Sequence, residues 1–170
     1  MKVKHYKLKG TIEDNLPLIQ SVMRKHLHEG ALDIGVRRVA EAVVRKRGIK
    51  GRDYLGEIKA LTAWVRSKTR YTRDPFGAEL IRHPKRMVGD YFETGQIAVD
   101  CDESATLLAS LLGSIGHNTR VLLVDASPYS RDISHAIAQV EYNGKWVFIE
   151  TTKDLPIGRS PSHSREIIIE

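Results

Sequence analysis

The chain of 170 residues contains a single cysteine, Cys101. One thiol can neither close an internal disulfide nor build a multi-thiolate metal site, so Cys101 is either small core filler or chemistry. Aromatic residues are also scarce at 6%, which leaves few platforms for stacking nucleic-acid bases. No apolar run approaches the roughly 20 residues that span a bilayer, and the start Met1-Lys2-Val3-Lys4-His5-Tyr6 lacks the apolar centre of a signal peptide. The expected setting is therefore cytoplasmic, without membrane contact. Zinc-finger spacing, an RNA-recognition signature, a P-loop, internal repeats and low-complexity tracts are all missing.

What is present is enough for one compact domain. With 41% hydrophobic residues, a chain of this length buries roughly 70% of the surface it would expose unfolded. The net charge is +6, and much of the excess lies early, in Arg37, Arg38, Arg45, Lys46, Arg47, Lys50, Arg52, Arg66, Lys68, Arg70 and Arg73. Such a basic half is either a set of solvated helix faces or a contact site for an acidic protein or a nucleic acid.

Apolar periodicity predicts three helices in the first half. Leu16, Ile19, Val22, Met23 and Leu27 recur at helical spacing from Ile12 to about His28, with Gly30 as the expected stop. A second helix is expected from about Asp33 to Arg47, closed by Gly48, and a third from near Arg52-Asp53 through Val65 to a turn around Asp74-Pro75. From Asp74 to Asp100 no period holds, and the segment reads as a long ordered loop. A further helix starts at or just before Cys101 and runs to Gly116; it is apolar on nearly every side near its middle, so it belongs at the centre of the domain.

After Gly116 the pattern changes to short strand-like runs, Thr119 to Val124, about Ser134 to Tyr142 and Lys145 to Glu150. Asn143-Gly144 between the last two is a strong hairpin signal. The stretch from Pro156 to His163 is polar, and Glu166 to Glu170 either adds an edge strand or frays. Helices first and an antiparallel sheet second make an α+β class.

Within this frame three residues could carry chemistry. Cysteine attacks a carbonyl as thiolate, and a thiol in the first turn of a buried helix sits near unpaired N–H groups and the positive end of the helix dipole. Asp100 is expected to cap that helix rather than face the sulfur. His135, opening a strand, could take the thiol proton and return it to a leaving amine if an acceptor holds its second ring nitrogen. Glu150 could be that acceptor. Pairing across Asn143-Gly144 sets Glu150 opposite Ile137, diagonally two positions from His135 on one face and within reach of a long side chain. Taken singly, each residue has a plain structural reading. A Cys/His/Glu metal site is possible by ligand type but lacks motif spacing.

The run Cys101-Asp102-Glu103-Ser104-Ala105-Thr106-Leu107-Leu108-Ala109-Ser110-Leu111-Leu112-Gly113 to Arg120-Val121 resembles the core signature of the transglutaminase-like superfamily. His135-Ala136-Ile137-Ala138-Gln139-Val140 and Gly144-Lys145-Trp146-Val147-Phe148-Ile149-Glu150-Thr151-Thr152 resemble its second and third blocks. With Tyr71, Asp74-Pro75 and the Pro84 to Gly89 stretch, the resemblance covers about residues 52 to 153 and is similar to versions from bacteria and their phages. It implies a papain-like, transglutaminase-like core, with N-terminal helices followed by a central buried helix packed on an antiparallel sheet. Residues 1–50 would be a helical layer, 51–155 the core, and 156–170 a tail or edge strand.

The resemblance further implies Cys101 as nucleophile, His135 as general base and acid, and Glu150 at the position of the orienting acid, with no cofactor. The family more often has aspartate there, and glycine rather than Val99-Asp100 before the cysteine. Gln96 is a candidate second oxyanion donor beside the Cys101 backbone N–H. The implied activity is cysteine-dependent hydrolysis or acyl transfer at an amide bond of a protein or peptide. The alternative is a catalytically silent binding or assembly module that uses its basic helical face.

Overall fold

The structure, a computed structural model, describes residues 6–7, 11–74, 78–127 and 129–170. Met1–His5, and Pro75 of the expected Asp74-Pro75 turn, lie outside the described residues. The elements are β1 (Tyr6–Lys7), α1 (Ile12–Leu32), α2 (Ile34–Lys46), α3 (Tyr54–Lys68), β2 (Thr69–Tyr71), β3 (Ala78–Glu79), α4 (Pro84–Thr94), β4 (Ile97–Val99), α5 (Cys101–Ser114), β5 (Thr119–Val124), β6 (His135–Tyr142), β7 (Lys145–Ile149) and β8 (Glu166–Ile169). The class is α+β, as the order of patterns implies.

The centre of the molecule is α5. Leu107, Leu108, Leu111 and Leu112 are fully buried, because helices α1 to α4 surround the helix on one side and β5 and β6 cover the other. The four-stranded sheet has the order β7-β6-β5-β8 and is antiparallel throughout. Glu166–Ile169 thus becomes an edge strand on β5. Asn143 and Gly144 both have positive φ, 53° and 72°, as the tight turn between β6 and β7 requires. The ladder pairs Tyr142 with Lys145 and Ala138 with Ile149, which is the register expected from the turn.

Two expectations about the helices change. The stretch from Asp74 to Asp100 is not a continuous loop: it contains α4 and the strand β4, which pairs in parallel with β2. Helix α4 carries end signals rather than a long apolar stripe. The ring nitrogen of His83 accepts from the Lys85 N–H, Pro84 occupies the first turn, and Gly95 closes the helix at φ 77°. It buries only Pro84, Met87 and Val88, too few to show a period.

Gly30 does not stop α1, which continues to Leu32. The glycine is needed for a close approach. A Cβ there would lie 2.6 Å from Ser110 Oγ and 2.7 Å from Pro84 Cγ, so α1 meets α4 and α5 at a point with no room for a methyl group. Gly30→Ala should therefore lower stability by about 1–3 kcal/mol through overpacking, despite alanine's better helix propensity. Thermal unfolding of the variant checks this expectation.

Candidate active site

Cys101 opens α5 because Asp100 ends the extended segment before it. The Asp100 carboxylate accepts the Glu103 N–H at 3.2 Å, and its backbone is still extended, with φ −96° and ψ −162°. The cap expected from the sequence is in place. The parallel pairing of β2 with β4 sets Tyr71 beside Val99, and the Thr72 N–H donates to the Val99 carbonyl at 2.8 Å. Tyr71 and Cys101 consequently reach the same cavity.

That cavity has a volume of about 160 Å³. Cys101, half-buried, and His135 both line it, together with Tyr71, Arg73, Asp74 and Asp100. Its apolar wall includes Ile12, Leu16 and Ile19 of α1. A second cavity of about 300 Å³ is lined by Tyr71, Ser134, His135 and Thr152. His135 and Tyr71 thus border both spaces.

His135 is the first residue of β6, paired with Val124 of β5, and is 8% exposed. Its Nε2 lies 2.6 Å from Glu150 Oε2. Glu150 follows the last residue of β7 and is fully buried. Its other oxygen, Oε1, accepts from the Thr152 N–H at 2.7 Å, the Thr152 hydroxyl at 3.0 Å and the Lys153 N–H at 3.3 Å. The extra methylene of glutamate relative to aspartate suits the diagonal reach between the strands.

Burial alone would push the Glu150 carboxyl up. The hydrogen bonds from His135 and from the Thr152 N–H and hydroxyl outweigh it and hold the group at about 2. Glu150 is therefore an anion whose Oε2 engages Nε2 of the His135 ring.

Other charges around the cavity are shifted as well. Partial burial raises the Tyr71 phenol, and neighbouring Cys101 and Asp100 raise it further, against a hydrogen bond and positive charge from Arg73. Tyr71 therefore keeps its proton and can donate it in a hydrogen bond. Asp74 is raised by burial and by Asp100, although the Leu80 N–H opposes the shift.

Gln96 is not brought to the cavity. It lies exposed between α4 and β4 and is not among the lining residues. An extended β4 carries it roughly 16 Å back along the chain from Cys101. Tyr71, which the sequence reading did not single out as a donor, lines the cavity instead. Its signal was the short strand-like stretch after α3, too brief to read as a pairing strand.

Arginines that look like surface charge in the sequence hold the site together. Arg66 on α3 donates to the Glu150 carbonyl through Nε at 3.1 Å and Nη2 at 2.7 Å, and to the Leu155 carbonyl at 2.6 Å. Arg82 grips Glu103, in the first turn of α5, through Nε and Nη2 at 2.7 Å each, and also reaches Asp90 at 2.9 Å and the Ala98 carbonyl. One guanidinium ties α4, β4 and the start of α5 together.

Glu103 is 2% exposed, so Arg82→Met strands a buried carboxylate. A loss of about 3–5 kcal/mol is expected, and the double variant Arg82→Met/Glu103→Gln should recover part of it. Denaturant unfolding of the two variants measures both.

A sequence model of the transglutaminase-like superfamily matches residues 39–151. The chain belongs to that superfamily. The matched span contains Cys101, His135 and Glu150, while the α1 wall of the transglutaminase-like chain's cavity lies before it. No curated protein matches the chain by sequence.

Two solved structures are similar in fold. A "putative protease" from Parabacteroides distasonis superposes over 79% of this chain and 26% of its own, with a TM-score of 0.56 and 13% identity. A "putative cysteine protease" from Cytophaga hutchinsonii superposes over 78% of this chain and 50% of its own, with a TM-score of 0.50 and 13% identity. The transglutaminase-like chain spans about a quarter of the first structure's length and half of the second's. At such identity the likeness establishes the fold.

No described helix is long and apolar enough to cross a membrane. Among the described residues no group of three His, Cys, Asp or Glu side chains is placed to hold a metal ion.

Proposed function

We propose that this transglutaminase-like protein acts on amide bonds of proteins or peptides through Cys101. The observation that carries the reading is a cavity lined by both Cys101 and His135, with His135 Nε2 held at 2.6 Å by a buried carboxylate. His135 Nδ1 takes the thiol proton, and the thiolate adds to the substrate carbonyl. The C–N bond breaks as His135 returns the proton to the leaving nitrogen. Water or an amine, deprotonated by the same imidazole, then releases the acyl group and regenerates the thiol. The Cys101 N–H, at the start of α5, and the Tyr71 hydroxyl are the candidate donors to the oxyanion.

Hydrolysis is the default outcome, because both cavities bordered by His135 are partly open and water is the most abundant nucleophile. The test is a panel of fluorogenic peptide amides together with a glutamine-containing peptide, each with and without a primary amine. Turnover that disappears in Cys101→Ser supports the proposal. Absence of turnover combined with ordinary thiol reactivity of Cys101 favours the silent binding module instead.

A further inference from the structure

A groove of about 560 Å³ lies between α2, α3 and α4. Its floor is apolar, with Val39, Val43 and Trp64 buried. One wall is aromatic. Trp64 meets Tyr91 edge-on at 5.0 Å, and Phe92, 72% exposed, follows at 5.5 Å from Tyr91. Four cations rim it, Arg38, Lys46, Arg47 and Lys68, and no acidic residue lines it.

Among the described residues none of these four cations ion-pairs with a carboxylate, although Lys68 Nζ lies 5.9 Å over the Tyr91 ring. Their neighbour Arg37, by contrast, pairs with Glu41 at 2.7 Å. Cations in the last turns of α2 and α3 complement the helix dipoles, which accounts for Lys46 and Lys68. It does not account for Arg38, two turns earlier on the same face of α2, or for an exposed phenylalanine beside them.

We propose that this groove is an exosite for an acidic, amphipathic segment of a polypeptide substrate. Carboxylates of the segment meet the cations that no carboxylate of the described residues engages, and its apolar side chains lie between Phe92 and the valine floor. A cationic rim selects negative charge, while a floor of aliphatic side chains with Trp64 already buried favours a peptide over stacked bases. The location fits a substrate contact. Lys68 ends α3, and the chain continues through β2 directly to Tyr71, which lines the Cys101 cavity. Groove and cavity are thus joined by three extended residues, a distance of roughly 10 Å. Naming the partner a substrate rests on the proposed function; the binding itself does not.

The experiment uses fluorescein-labelled peptides of alternating glutamate and leucine on Cys101→Ser protein, so that turnover plays no part in the readout. Fluorescence anisotropy should show saturable binding that weakens as salt is raised. It should fall about tenfold in Lys46→Glu/Arg47→Glu, and by a similar factor in Phe92→Ser. All of these positions are exposed, so Phe92→Ser should melt as the parent does, while the charge reversal, which opposes the α2 dipole, should lower the melting temperature only slightly. A glutamate–serine peptide, which keeps the charge but lacks the apolar side chains, should bind more weakly. The inference is overturned if the Glu–Leu peptide does not bind, if the variants bind it as well as the parent does, if a lysine–leucine peptide binds equally, or if an oligothymidylate binds as tightly. Binding by a protein that shows no turnover would retain the exosite and reject the proposed function; turnover without binding would do the reverse.

Discussion

Cys101→Ser is expected to abolish amide-bond turnover, by about 10⁴-fold or more, with little change in stability. The scale follows from what nucleophile removal costs in enzymes that use a nucleophile, base and orienting acid as a unit. Serine differs from cysteine by one atom, and Cys101 is half-buried at a helix start whose cap is Asp100. Neither the cap nor the buried leucine face of α5 depends on the sulfur. A serine hydroxyl at this position is far less acidic than a thiol, so His135 could not ionise it as readily. Assays of turnover and thermal melting on the same preparation separate the two effects. A large fall in melting temperature would mean that Cys101 is core filler.

Changes at Glu150 are expected to affect both activity and folding, and the choice of substituent separates the two. In Glu150→Ala the Thr152 and Lys153 N–H groups and the His135 ring nitrogen lose their acceptor at a fully buried position. The expected loss is about 2–4 kcal/mol of stability and about 10³-fold or more of activity. Glu150→Gln keeps the volume, and its amide oxygen can still accept from Thr152. Its NH₂ would then face Nε2 and favour the wrong tautomer of His135. Activity should therefore fall nearly as far as in the alanine variant, while most of the stability is kept. If both variants retain activity, the carboxylate has no part in orienting the histidine.

The same carboxyl predicts a pH effect. It is held at about 2 in the folded protein against an ordinary 4.5, so the unfolded chain binds the proton more readily. Its stabilising contribution is complete above about pH 5 and is lost as pH falls from 4.5 towards 2, by roughly 3 kcal/mol in all. The acid limb of the stability curve should flatten in Glu150→Gln.

The parts of the fold that can be read in advance are those with strong local rules. Asn143-Gly144 demands a tight turn, and that turn alone sets the register which brings Glu150 to His135. The apolar run after Cys101 is too long and too uniform to be anything but a buried helix, and Asp100 caps it as its position suggests. Legibility fails where the cause is tertiary. Helix α4 buries three residues and shows no stripe, and β2 and β4 are three residues each, stable only because they pair. Gly30 looks like a helix stop but marks a helix crossing. The basic half hides three kinds of charge: clamps such as Arg66, solvated pairs such as Arg37 with Glu41, and the rim of the groove. Composition cannot distinguish them, because the difference lies in which carbonyl or carboxylate the fold brings alongside. Gln96 does not reach the cavity for a similar reason: closeness in sequence to Cys101 is undone by the extended strand between them.

The account turns on whether His135 activates the Cys101 thiol, and the rate of iodoacetamide alkylation of Cys101 as a function of pH tests this most directly. Alkylation in the parent protein should be faster than that of a model thiol at pH 6 to 7, with an apparent pKa below the ordinary value of about 8.5, and should return towards that value in His135→Gln. A parent profile indistinguishable from a model thiol, unchanged by His135→Gln, would contradict it.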